Sequence, residues 1–105
     1  MHAVLITFRS EASMEDLVQP FTDYANAMTT VEGLVSKTWI ADGEVLGGFH
    51  IFTSRQAADV YLGSEMVAGL TSNPAFSGFE ISHYEVLDEL SRITGSPNGA
   101  LARSG

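Results

Sequence analysis

Residues 33–53, GLVSKTWIADGEVLGGFHIFT, read as two β-strands joined by a tight turn. Asp42-Gly43 is a strong hairpin signal, because a type I′ turn needs positive φ and this dipeptide supplies it. Side chains alternate between the two faces of a strand. Lys37 and Trp39 therefore share a face of the first strand, and Gly48 and His50 share a face of the second. The stretch holds the only tryptophan, a lysine two residues before it, one of three histidines and a Gly-Gly pair. If the chain has a site, its chemistry gathers here.

Upstream, His2–Arg9 (HAVLITFR) is a compact, partly β-branched apolar run and reads as a buried strand. Ser13 followed by Asp16 is a helix N-cap with an acidic first turn. Met14, Leu17, Val18, Phe21, Ala25 and Met28 then recur at three- and four-residue spacing, an amphipathic helix. Pro20 lies inside it and is expected to kink it or split off its first turn. Gly33 is expected as its left-handed cap. Downstream, Thr53 or Ser54 caps a second helix, with Gln56 placed for a capping box on Thr53. Its stripe is Ala58, Tyr61, Leu62 and Met66, with Gly63 a local weakness. Thr71–Gly78 is a connector, Phe79–Leu87 a fourth strand, and Asp88–Thr94 a short helix carrying Leu90 and Ile93.

The order β-α-β-β-α-β predicts an α+β, ferredoxin-like fold with a four-stranded antiparallel sheet. Residues 1–94 form one domain, and residues 95–105, small, polar and bearing Pro and Gly, are expected to be a disordered tail. Two helices cover one face of such a sheet. The other face is still apolar whichever parity is chosen. The poorer set is Leu5, Leu34, Ile40, Leu46, Phe52, Tyr84 and Val86. Leaving such a set in water forgoes on the order of 10 kcal/mol, comparable to a domain's whole stability. A homodimer that pairs the open faces into a barrel-like core is therefore expected.

Composition narrows the function. The 105 residues carry 13 acidic and 5 basic side chains, a net charge of −8 that repels phosphate backbones and argues against nucleic acid. No run of apolar residues approaches membrane-spanning length, and the short apolar N-terminal run is not a signal peptide. Cysteine is absent, which removes disulfides, thiolate metal sites and thiol nucleophiles and points to the cytoplasm. Gly43, Gly47 and Gly48 form neither a dinucleotide nor a phosphate loop, and no cofactor fingerprint is present. His2, His50 and His83 fall on three neighbouring strands of a 4-1-3-2 sheet but lack ligand spacing, so no metal site is assigned.

Each candidate in the hairpin has two readings. Trp39 is a stacking wall for an aromatic ligand or a core or interface tryptophan. Lys37 is an edge gatekeeper or a charge facing a cavity. Gly48 makes room for a ligand beside His50, or Gly47-Gly48 marks a twist after the turn. His50 is the best-placed general acid or base, since imidazole titrates near neutrality. Tyr24 and Tyr61, one on each helix, pack as amphipathic residues or present hydroxyls to a cavity between helices and sheet.

Gly33, Lys37, Trp39, Gly47, Gly48, Phe52, Thr53, Ala58, Tyr61, Leu62, Leu90, Ser91 and Ile93 stand in a pattern that resembles the YdhR-like monooxygenase family of the dimeric α/β-barrel superfamily. The resemblance covers Gly33–Thr94; the first strand and helix agree in pattern only. The family name itself rests on similarity to small cofactor-free monooxygenases that oxidise aromatic polyketides. The resemblance implies a homodimer with a cavity in each subunit between sheet and helices, and an oxygenase needing neither metal nor flavin. In that chemistry a small aromatic or polyketide-like phenol or enol is deprotonated and its anion reduces O₂. Trp39 would stack on the ring and His50 would act as base or hydrogen-bond donor. Lys37 or a tyrosine would stabilise the anion, with Tyr24, Tyr61 and Gly48 also at the substrate. The resemblance leads one to expect a tyrosine where this chain carries His50. A non-catalytic, small-ligand-binding or stress-associated homodimer is the alternative. Haem binding on a related barrel would need an axial histidine facing a large cleft.

Overall fold

The computed structural model of the chain describes residues 1–95. Of the expected tail, all but Gly95 lies outside the described residues. The elements are β1 (His2–Arg9), α1 (Met14–Met28), β2 (Leu34–Asp42), β3 (Val45–Phe52), α2 (Arg55–Leu62), α3 (Glu65–Thr71), β4 (Ser77–Glu85) and α4 (Asp88–Thr94). The four strands pair antiparallel in the order β2-β3-β1-β4, the arrangement of a ferredoxin-like α+β domain.

Local chemistry sets the element ends. The Ser13 hydroxyl accepts from the Asp16 N–H at 3.2 Å and starts α1. Pro20 does not split off the first turn: α1 runs through it as one helix. Pro20 and Asp16 are both exposed, so water can take the Asp16 carbonyl that the missing N–H leaves free. Ser54, rather than Thr53, caps α2, accepting from the Ala57 N–H at 3.1 Å. The second helix is broken at Gly63, which ends α2 before α3 begins. The fourth strand starts two residues earlier than the sequence suggested.

The hairpin turn also differs in detail. Asp42 pairs with Val45, leaving Gly43 and Glu44 as the central residues, and only Gly43 has positive φ, +60°. That is the type II′ pattern, with glycine first, rather than type I′. Gly33 is left-handed at φ +82° but does not cap α1, which ends at Thr29. It lies where the chain turns into β2, its carbonyl accepting from Thr53 N–H at 2.8 Å. A Cβ there would come within 2.5 Å of Ala57 Cβ on α2.

Register decides which residues face the helices. Val4 opposes His50, Ile6 opposes Gly48 and Phe8 opposes Leu46. These positions, with Phe52, meet Leu17 and Met28 of α1, Ala58 and Tyr61 of α2 and Val67 of α3 in the core. The pairing of β2 with β3 shifts between Leu34 and Ser36, a bulge that reverses parity. Leu34 and Lys37 consequently face the same side. The set expected to lie open is thereby corrected: Leu34, Leu46 and Phe52 belong to the core. The open side carries Leu5, Ile40, Phe49 and Tyr84, the last three 41%, 39% and 53% exposed. Leu87, Leu90 and Ile93 around α4 are exposed as well.

Gly33→Ala should lower stability by about 2 kcal/mol or more, because it adds a clash to left-handed strain. Gly43→Ala, with nothing within 4 Å of its added Cβ, should cost only about 1 kcal/mol. Urea midpoints compare the two, and equal losses would mean that contact with α2 is immaterial.

Candidate functional site

The β2–β3 register places Lys37 opposite His50 and Trp39 opposite Gly48. Each strand keeps the pairing its alternation suggested, and the register puts all four on the helix-covered side of the sheet. A Cβ on Gly48 would fall 2.6 Å from Lys37 Cε and 3.0 Å from His50 Cε1. The missing side chain is therefore what lets lysine and histidine lie side by side across the two strands. On Gly47 a Cβ would meet the Ile6 carbonyl, a close backbone approach.

His50 is 1% exposed. Its Nδ1 lies 3.0 Å from the Val4 carbonyl oxygen. A carbonyl can only accept, so Nδ1 carries the proton and Nε2 keeps its lone pair. Nε2 is buried and has no partner among the described residues. Burial first, and the nearby Lys37 charge second, lower the imidazole pKa to about 4, opposed by the adjacent Val4 and Gly48 backbone. The ring is neutral at pH 7 and holds an unused acceptor.

Lys37 crosses over the Trp39 ring, with Nζ 3.6 Å from its centroid and 4.9 Å from that of Tyr24. Nζ also donates to Met28 Sδ at 3.2 Å. These are weak partners for an ammonium. Among the described residues the ion pairs are Met1–Asp88, Arg9–Glu44 and Arg55–Asp59, none of which includes Lys37. Burial lowers its pKa to about 8. Although β2 is an edge strand, this lysine faces inward.

Tyr24 on α1 and Tyr61 on α2 meet above the sheet with hydroxyls 2.6 Å apart. Burial raises both phenol pKa values, and the shared hydrogen bond raises that of Tyr61 further. Both remain neutral donors at physiological pH. These two tyrosines, with Lys37, Trp39, Gly48 and His50 and with Ile6, Phe8, Phe21, Gly47 and Leu70, enclose a space of about 20 Å³. That holds about one water, and is smaller than an aromatic ring. Phe21 and Trp39, 5.1 Å apart, separate it from an outer cleft of about 360 Å³.

The pocket thus gathers Lys37, Trp39, Gly48, His50, Tyr24 and Tyr61. Sequence reasoning did not single out Phe21 or Met28 as site residues. Both were visible as members of the α1 stripe, and only contact with Trp39 and Lys37 marks them. The three histidines part company: His2 Nε2 of β1 and His83 Nδ1 of β4 are 2.8 Å apart, whereas His50 of β3 turns its Nδ1 to the Val4 carbonyl. No three metal-ligating side chains converge among the described residues, and no helix there is long and apolar enough to cross a membrane. In this arrangement His50 faces a water-sized space, not the large cleft that an axial haem ligand requires.

The neutral His50 carries a pH signature. Its pKa in the folded chain lies below the ordinary 6.5. Between these values the unfolded chain binds more protons, so stability is complete above pH 6.5 and is lost as pH falls toward 4. Acidification from pH 7 to 5 should cost about 2 kcal/mol from this group. His50→Gln should remove most of that loss, leaving the smaller slope from His2, whose pKa is also lowered by burial. An unchanged acid limb in urea titrations of the variant would sink the assignment.

The fold has solved counterparts. SnoaB, a cofactor-independent oxygenase from Streptomyces nogalater, superposes with a TM-score of 0.66 at 15% identity over 81% of this chain and 91% of its own. A "putative antibiotic biosynthesis monooxygenase" from Deinococcus radiodurans gives 0.67 at 16%, over 82% and 92%. The haem-degrader MhuD of Mycobacterium tuberculosis, solved with two haems bound in its active site, gives 0.65 at 16%, over 83% and 96%. At these identities the likeness is one of fold. No curated protein matches the sequence. Residues 4–97 match the family described as "Putative mono-oxygenase ydhR", which spans β1 through α4, and the chain belongs to that family.

Proposed function

We propose that the protein is a cofactor-independent monooxygenase for a small aromatic or polyketide-like substrate. One observation carries the reading: a neutral, unpartnered His50 Nε2 buried beside a Lys37 ammonium that has no carboxylate to pair with. Leaving both groups under-satisfied costs folding stability, and pockets that bear such a cost are commonly functional.

The roles follow from chemistry. Nε2 takes the proton of a phenol or enol, a transfer favoured when a charged lysine stabilises the anion left behind. Trp39 stacks on the ring, and the one O–H of the Tyr24–Tyr61 pair not spent on their mutual hydrogen bond is a donor at its edge. Gly48 keeps the lysine and histidine adjacent. The electron-rich anion then reduces O₂ itself. For oxidation of a ring methylene to a ketone the balance is CH₂ + O₂ → C=O + H₂O, and no other reductant is needed. The oxygenase activity stated for SnoaB supports this reading by analogy of fold.

We also propose that the protein works as a homodimer in the cytoplasm. Phe49 and Tyr84 on the open sheet face support self-association, as do Leu87, Leu90 and Ile93 around α4. The absence of cysteine suits a reducing compartment. A non-catalytic small-ligand-binding dimer, of stress-associated type, is the second reading. The enclosed space that admits about one water favours it.

Oxygen uptake with a panel of anthrones and quinols decides between the two readings. Turnover that falls 10²- to 10⁴-fold in His50→Ala supports the oxygenase. Ligand binding with no uptake above buffer supports the second reading. In sedimentation the wild type should run at twice the monomer mass, and Phe49→Glu should shift it toward monomer.

A further inference from the structure

The outer cleft lies between α1 and β2 and is lined by Met14, Val18 and Ala25 of α1 and Ile40 of β2. α1 already presents Leu17, Phe21, Tyr24 and Met28 to the sheet and hairpin. Met14, Val18 and Ala25 form a second apolar stripe at four- and seven-residue steps. No element among the described residues covers it: Met14 is 52% and Val18 57% exposed. A volume of about 360 Å³ lies in the range of small-molecule sites. The cleft shares Phe21, Trp39 and Gly47 with the enclosed pocket, whose far side holds the orphan Nε2 and the unpaired ammonium. The outer wall carries one hydroxyl, that of Thr22, and the titratable side chains line the inner pocket only.

We infer that the cleft seats the fused rings of a flat, two- or three-ring hydroxyaromatic compound, and that Phe21 and Trp39 form a partition that parts to admit its hydroxyl edge to His50 and Lys37. The inference rests on reading the enclosed pocket as the reacting end. The space behind the partition is too small for a ring, so the ring system stays outside and one polar edge enters. The same layout sets specificity. No basic side chain lines the cleft, and the chain carries net charge −8. A second, anionic substituent on the outer ring would meet apolar side chains and an unfavourable field.

The probe is 1-naphthol, with its 5-sulfonate as counter-probe. Trp39 is the only tryptophan, so its single indole N–H resonance reports on the partition without ambiguity. Naphthol should shift that resonance in a saturable way, and the sulfonate should bind at least tenfold more weakly. Val18→Asp, an exposed substitution on the cleft wall, should weaken naphthol at least tenfold while the oligomeric mass stays that of the wild type. Phe21→Ala should speed association at least tenfold in stopped-flow; Phe21→Leu, which keeps core volume, should do so to a lesser degree. Undiminished naphthol binding in Val18→Asp would overturn the seat. So would a Val18→Asp variant that changes mass instead, since the cleft would then be a subunit contact. Association rates equal to wild type in both Phe21 variants would overturn the partition. Binding needs no turnover: naphthol held in the cleft, with no oxygen uptake across the anthrone and quinol panel, would leave this inference standing and remove the oxygenase reading. Oxygen uptake indifferent to Val18→Asp would do the reverse.

Discussion

The antiparallel register of β2 against β3 governs the site. It sets Lys37 across from His50 and Trp39 across from Gly48. A slip of one residue would turn every one of these side chains to the opposite face. The type II′ turn at Gly43-Glu44 pins one end of the hairpin, and the bulge near Val35 adjusts the other. Without that bulge, Leu34 and Lys37 could not both face the helices. Core packing through Leu34 and site chemistry through Lys37 would then exclude each other.

The helices complete what the hairpin begins. Tyr24 and Met28 come from α1 and Tyr61 from α2. They converge above the strand pair, and their mutual hydrogen bond and sulfur contacts satisfy them. Lys37 and His50 are treated differently. The lysine has an aromatic face and a thioether, and the imidazole has one carbonyl for its two nitrogens. A core selected for stability alone would replace such groups with hydrocarbon of similar volume. Their place beside a gap held open by Gly48 supports the proposal that this corner of the fold is a reacting centre.

Two apolar surfaces remain without cover in the single subunit, and they lie on different sides. The open sheet face, with Phe49 and Tyr84, is broad and suits another protein surface. The cleft beside α1 is concave and meets the polar pocket through Phe21 and Trp39. The distinction matters because hydrophobic area alone does not name its occupant. Concavity and contact with unsatisfied polar groups favour a small molecule in the cleft. Breadth favours a second copy on the sheet.

Much of this was legible in the residues. The alternation paired Lys37 with Trp39 on one face of β2 and Gly48 with His50 on one face of β3, and the order of hydrophobic periods yielded the βαββαβ chain path with β2 at the edge; only the register joined the two pairs on one side. Caps at Ser13 and Ser54 could be read because their hydrogen bonds are local. Parity across the bulge, the intact α1 at Pro20 and the break at Gly63 could not, since each depends on what packs against the backbone. The sequence by itself determined the fold and the residue types available to the site, because periodicity and turn chemistry act over a few neighbours. Tertiary structure alone decided that Phe21 meets Trp39, that His50 Nε2 has no partner, and that the pocket behind them is only water-sized. Those facts arise from side chains distant in the chain competing for one volume, and no local pattern encodes the outcome.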